Sequence, residues 1–447
     1  MLKQVSKRFR WAVEKVVPDT IILTVLLTFV TVIMGVIIAK QTPMQMVGHW
    51  YGGFWNFLSF AMQMTMILLT GYCLAMAPAV QRLMSRIASI PKTPLSAVTM
   101  TALVSAAACW VSWGFGLVLG PIFAREIAKR VQVDYPLLIA AAYSAAIAAL
   151  TAGLTITAPI TVNTPGHALE AQIGLIPLSQ TIFGPTLLIT AFLAVAGVIW
   201  AFRQMLPDDK DAIIVKPEDL AKLDAPMPEP PSADANFAEK LNHSRILNYT
   251  LVLGGAAWIV QWFATQGFDL NLNILNFIFL IVGLALHGSL QRYAECFANG
   301  ARAASGIILQ FPFYAGILGM MAGSGLVIII AQWMVSVATP YTFGFLAMLS
   351  AGLVNIFIPS AGGQWLIQGP VLIEAAKELG VSPAVAVNGF TIGDMWTNFL
   401  QPFFALPALG ISGLGLKDIW GYCLVILVLF GLAGCVGTLL VPLVFGS

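Results

Sequence analysis

The chain is 447 residues long. Hydrophobic residues make up 59% of it and charged residues 9%, with a net charge of +2. A soluble domain is about 25% charged, and so few charges could not cover the surface of a soluble protein this size. Composition therefore excludes a cytosolic enzyme, a disordered chain and a disulfide-stapled secreted domain, and the small net charge implies no nucleic-acid partner. What remains is an all-α polytopic membrane protein whose surroundings are the lipid bilayer.

Residues 1–17 carry Lys3, Lys7, Arg8, Arg10 and Lys15, with Val5, Phe9, Ala12, Val13 and Val16 on one helical face. This pattern predicts an interfacial helix on the cytoplasmic surface. Nine apolar runs near the ~20 residues of a span follow: 18–39, 54–77, 136–162, 181–202, 246–265, 272–290, 304–322, 383–409 and 419–445. Two stretches, 95–130 and 341–379, are too long for one crossing and too short for two, and both have glycine clusters at their centres. They are expected to be re-entrant helical hairpins, with 326–338 a short arm. Residues 203–245 hold six prolines and 15 of the 42 charges, and read as a cytoplasmic linker with little fixed structure.

Placing the N-terminus inside puts only Lys40 and Lys377 of the 22 Lys and Arg residues on the outside. That positive-inside bias supports the span count and puts both ends of the first hairpin inside and both ends of the second outside. The two halves, 18–202 and 266–447, repeat each other weakly across the connecting span 246–265. Gly120-Pro121 matches Gly369-Pro370, Gln63 matches Gln310, Pro94 matches Pro340 and Pro136 matches Pro383, at offsets of 246 to 249 residues. An odd crossing between two repeats inverts the second. Inverted repeats with broken elements are a secondary-transporter architecture, because the halves can exchange roles between two access states.

The hairpin centres, Ser112-Trp113-Gly114-Phe115-Gly116 and Ser360-Ala361-Gly362-Gly363-Gln364-Trp365, coincide under that offset. Glycine permits a sharp turn with uncovered amides, and a following helix N-terminus favours an anion without a cationic side chain. Tight helix packing through small residues is the alternative. Two spans are interrupted as well: 136–162 around Thr151 to Pro159, including Thr155, and 383–409 around Gly393-Asp394-Met395-Trp396-Thr397-Asn398. Asp394 is the ionisable residue placed deep in a span. With Asn398, Thr397 and Asn355 it is assigned to a coupling-ion site for a proton or sodium, with a helix-capping role as the alternative. No Lys or Arg falls at the midplane, which suits a monocarboxylate better than a multiply charged substrate. Trp113, Phe115, Trp365 and Trp396 are candidate apolar walls for a short acyl tail, or packing aromatics. Cys73, Cys109, Cys296, Cys423 and Cys435 show no metal-ligand spacing, the four histidines are scattered, and no cofactor is expected.

At these residues the sequence resembles the bacterial short-chain fatty acid transporters, within the ion transporter superfamily. The resembling strings are Ser112-Trp113-Gly114-Phe115-Gly116-Leu117-Val118-Leu119-Gly120, Gln310-Phe311-Pro312-Phe313-Tyr314-Ala315-Gly316, the run from Pro359 to Pro370, Gln401-Pro402-Phe403-Phe404-Ala405-Leu406-Pro407, and Gly413-Leu414-Gly415-Leu416-Lys417-Asp418-Ile419. The resemblance covers nearly the whole chain. It implies a scaffold domain, a mobile domain bearing both hairpins, and a homodimer of elevator type in the bacterial inner membrane. The superfamily's sodium-coupled dicarboxylate carriers have Ser-Asn-Thr at the hairpin tips. The tips here, Ser-Trp-Gly and Ser-Ala-Gly-Gly, point away from that substrate class. The expected function is secondary transport of short-chain monocarboxylates such as butyrate or acetoacetate, with an ion or proton antiporter as the alternative. An intramembrane hydrolase would need a nucleophile with His or Asp, or a zinc pair, inside the spans. His287 stands at a span end with no partner near in sequence, and an enzyme is not expected.

Overall fold

The computed structural model describes residues 20–56, 58–208, 212–221, 236–268, 270–356, 361–400 and 403–445. Regular structure among them is helical, with no strand. Residues 1–17, expected as an interfacial helix, lie outside the described set.

Four helices precede the first hairpin: α1 Thr20–Ile37, α2 Pro43–Gly53, α3 Leu58–Met76 and α4 Pro78–Ile87. Helix α2 was not anticipated. Thr42 caps it, Pro43 starts it, and Gln45 returns a hydrogen bond to complete a capping box. The hairpin is α5 Pro94–Val111 and α6 Trp113–Ala128. One extended residue, Ser112 (φ −158°), separates its limbs. Ser112 N closes α5 on Ala108 O, and Ser112 Oγ caps α6 by accepting from Phe115 N. The limbs pack antiparallel at glycines, since a Cβ on Gly116 would meet Cys109 and one on Gly120 would meet Ser105.

The chain then enters α7 Tyr135–Leu150, whose sixteen residues are all buried. A helix apolar on every face belongs in a core, and α7 is the molecule's central post. Asp134 caps it through Leu137 N. After a break, α8 Thr157–Val162 resumes, and α9 Pro185–Gln204 packs along α7. The linker is partly fixed, contrary to expectation. Ile213 N donates to Asp134 Oδ2, Ile213 O accepts from Tyr135 N, and Leu220 is buried.

The second half runs α10 Arg245–Gln266, α11 Leu272–His287, α12 Leu290–Gly323, α13 Leu326–Val337, α14 Phe343–Asn355, α15 Ala361–Glu378, α16 Pro383–Thr397, α17 Leu406–Ser412 and α18 Leu416–Cys435. The span expected at 304–322 is the end of the longer helix α12. A 76° bend separates Ile308–Gly323 from Leu326–Met334, and Gly325, with φ of +79°, makes the corner.

Among the described residues, five helices are long and apolar enough to cross a membrane, or six if that bent pair is one span. The difference from nine has identifiable causes. Two expected spans are divided, at 150–157 and 397–406, and a third, α11, has only sixteen residues. Conversely α5, read as a hairpin limb, is long enough by itself. Phe29, Phe192, Trp200, Ile246, Leu253, Val260 and Val428 all stand exposed, an apolar exterior suited to lipid.

Candidate functional site

The two hairpins approach from opposite ends. Near the base of the first, Arg125 reaches Ile411 O and Tyr135 OH reaches Ser412 O, so α17 ends there. The base of the second packs in one apolar cluster with Ala384 at the start of α16 and with Leu169 and Ile176 beyond α8. Each interrupted helix therefore begins at one hairpin base and ends near the other, with its break between the tips.

At the centre lies a small cavity of about 30 Å³, room for a water or two. Trp113 of the first tip and Ala361 and Gly362 of the second line it. So do Leu150, Ile156 and Thr157 of the first break, Met395 and Phe404 of the second, and Met64 of α3 and Phe311 of α12. Trp113 and Phe404 meet edge to face across it at 6.2 Å.

The tip glycines have specific neighbours. A Cβ on Gly114 would collide with the backbone of Ile67 and Leu68, and one on Gly71 would collide with Phe115 N. The first tip thus rests backbone to backbone on α3. Trp113 N is also taken, donating to Thr155 Oγ1 at 2.9 Å. In this conformation the glycines of the first tip serve close packing, and the amide of Trp113 is already satisfied. At the second tip, Gly362 faces the Phe60 ring and Gly363 the Tyr314 ring. Tyr314 is held by Gln310 Oε1 at 2.9 Å and by Thr24 Oγ1 at 3.3 Å. Gln364 Nε2 donates to Ala351 O and Gln368 Oε1, joining the limbs of the second hairpin. Ser360, Gln401 and Pro402 lie outside the described residues.

The four residues assigned to ion coupling converge. Asn355 Nδ2 donates to Asp394 O at 2.8 Å, to Asn398 Oδ1 at 2.8 Å and to Thr397 Oγ1 at 3.0 Å. Thr397 Oγ1 donates to Gly352 O, and Tyr143 OH donates to Asn398 O. Asp394 is 1% exposed, and no described donor reaches either carboxylate oxygen; Asn355 Oδ1 is likewise buried without a partner. A buried, unpaired carboxylate is costly unless something neutralises it. A carboxylate buried in this way suits a proton or a small hard cation, and the backbone and amide oxygens gathered around Asn355 lie on the same helix turn.

Three predicted aromatics do not line this cavity, and Phe115 is one of them, packed instead against the main core. Trp396 is wedged between Gly352 and Gly431, with its indole N–H on Leu427 O. Its role is packing of α14, α16 and α18, and Met395, one residue earlier, is the one that faces the cavity. Trp365 packs on Phe390 and lines a second cavity of about 330 Å³ with Leu366, Pro370, Thr161, Leu318 and Val327. The two cavities share three helices. Thr157 and Thr161 are one turn apart on α8, Gly362 and Leu366 one turn apart on α15, and Phe311 and Leu318 two turns apart on α12.

Comparison with known proteins gives three findings. The family described as "Short chain fatty acid transporter" matches residues 1–441. Two curated relatives named "Putative short-chain fatty acid transporter" are each 40% identical. That of Escherichia coli K12 aligns over 98% of this chain and 99% of its own length, and that of Haemophilus influenzae over 96% and 97%. The crystal structure of the Alcanivorax borkumensis YdaH transporter, described as having an unusual topology, superposes with a TM-score of 0.57 and 16% identity. It covers 96% of this chain and 99% of that one, a likeness of fold.

Proposed function

The chain belongs to the short-chain fatty acid transporter family, and from that premise we propose that it carries short-chain monocarboxylates, such as butyrate or acetoacetate, by secondary active transport coupled to a proton or sodium. It is a multi-pass membrane transporter and not an enzyme. The observation that carries the substrate reading is the meeting of both hairpin tips and both helix breaks around one apolar cavity, next in sequence to a buried, unpaired carboxylate.

The chemistry fits a small amphipathic anion. Trp113, Met64, Phe311, Met395 and Phe404 offer an apolar wall to an acyl tail, and no cationic side chain lines the cavity to attract a second carboxylate. The central space is too small for such an acid, so loading requires the tips to part. Freeing Trp113 N from Thr155 would supply an amide to the carboxylate. The 330 Å³ cavity, one helical turn along the same helices, is the approach to that site. Asp394 would repel the substrate carboxylate until its charge is neutralised, and this repulsion is the proposed basis of coupling. The wider proposal is an inverted-repeat, elevator-type homodimer in the inner membrane with a cytoplasmic N-terminus.

Proteoliposome flux tests it. Labelled butyrate should accumulate under an imposed pH or sodium gradient and be displaced by acetoacetate but not by a dicarboxylate. Proton or sodium exchange without butyrate flux would favour the antiporter instead.

A further inference from the structure

A third cavity lies where the starts of α4, α10 and α12 meet the end of α11. It has a volume of about 420 Å³, and its lining includes Arg82, Arg245, Arg292, His243 and Ser289. No carboxylate lines it, and none of the three guanidiniums has an ion-pair partner among the described residues. His243 Nδ1 is buried there without a hydrogen bond.

The placement of these charges is unfavourable on its own terms. Arg245 is the first residue of α10, just after its Ser244 cap, and Arg292 is in the first turn of α12, just after its Ser289 cap. Neither first turn contains an acidic residue. A helix N-terminus carries partial positive charge, so a cation there is repelled. Two such termini, each bearing an arginine, share this cavity with a third arginine. An anion in the cavity removes all of these repulsions together and receives charge-assisted hydrogen bonds from planar guanidinium groups.

We propose that this cavity is a binding site for a phosphate-bearing anion, held by Arg82, Arg245 and Arg292. Two sources share that chemistry: the headgroup of an anionic phospholipid and a soluble phosphate. A basic pocket between helices at a membrane surface suits the former, and the exposed apolar flanks of α10, Ile246 and Leu253, would lie along its acyl chains.

The full-length chain, reconstituted in nanodiscs of phosphatidylcholine alone or with phosphatidylglycerol, would be followed by thermal unfolding and by native mass spectrometry, with inorganic phosphate as a separate arm. Phosphatidylglycerol, inorganic phosphate or both should stabilise the wild type, and which of them does so identifies the source. Each of Arg245→Gln and Arg292→Gln should weaken that effect about tenfold. In phosphatidylcholine without phosphate the same variants should be at least as stable as wild type, because they remove repulsion. Arg86→Gln, an equal charge change outside the cavity, is the control. The proposal is overturned if neither ligand stabilises the wild type, or if Arg86→Gln weakens the effect as much as the cavity variants do.

Discussion

Asp394 and Gly363 show how little room the centre leaves for substitution. Asp394→Asn keeps the shape of the side chain and fixes it neutral. If a proton couples transport, this variant should still exchange labelled butyrate across the membrane but lose accumulation driven by a pH gradient. If sodium couples, the sodium dependence of uptake should disappear instead. Full gradient-driven accumulation with unchanged pH and sodium responses would reduce Asp394 to a structural residue. Gly363 is constrained by a neighbour on another helix. A Cβ there would lie 2.5 Å from Tyr314 Cδ2, and Tyr314 is 1% exposed and tethered through its hydroxyl. Gly363→Ala should therefore reduce uptake severalfold, and a Tyr314→Ala background should relieve most of that loss. A double-mutant cycle measures the relief; strictly additive losses would show that the ring does not set the limit.

At the scale of elements, the break in one helix supports the tip of another. Thr155 Oγ1 accepts the amide of Trp113 from the first turn of α6. Thr155→Val preserves the shape but leaves that buried amide unsatisfied, at a cost of about 1–3 kcal/mol. It should lower the thermal midpoint and impair uptake, whereas Thr155→Ser, which keeps an acceptor, should stay close to wild type. Equal behaviour of the two variants would remove the hydrogen bond from the argument. Two of these breaks are legible in the sequence, since Ser112 and Gly153 stand out in apolar runs; Gly393 to Thr397, read as an interruption, is instead helical within α16, and the chain breaks after Thr397. Other features are not. Helix α12 runs through Arg292, Glu295 and Arg302, which interrupt the apolar signal from which 304–322 was bounded. Helix α2 is short and carries Gln45 and His49, although Thr42-Pro43 and Gln45 do spell a helix start. Met64 and Phe60 look like any lipid-facing residue of an apolar span. Trp396 misled because neighbours on a helix point about 100° apart, so adjacency to Met395 and Asp394 in sequence did not bring it to the cavity. Phe311, Tyr314 and Phe404 lay in the strings that carry the family resemblance, and those strings were the available signal for them.

For the whole molecule, the question is which ends of these helices face which side of the membrane. Helix α16 starts beside the base of the second hairpin, and its continuation α17 ends beside the base of the first. The 15 residues of α16 alone span about 22 Å at 1.5 Å per residue, a large part of the ~30 Å hydrocarbon core. The two hairpin bases therefore lie too far apart to share one membrane surface. Charge then supports one orientation. The first base carries Arg125, Lys129 and Arg130, with Lys129 and Arg130 both paired to Glu126, and the docked linker adjoins it at Asp134. The second base offers Lys377 as its only cation, and on the positive-inside bias we propose that the first base faces the cytoplasm. Arg130 and Lys377 are both exposed, and an exposed ion pair contributes little stability, so cysteine at either position should leave the fold intact. In a cysteine-free background, an impermeant thiol reagent added to intact spheroplasts should label position 377 and reach position 130 only after the membrane is permeabilised. Labelling of both positions from outside would return the two bases to one surface and defeat the inverted arrangement of the two hairpins; labelling of 130 alone would keep that arrangement and overturn the orientation.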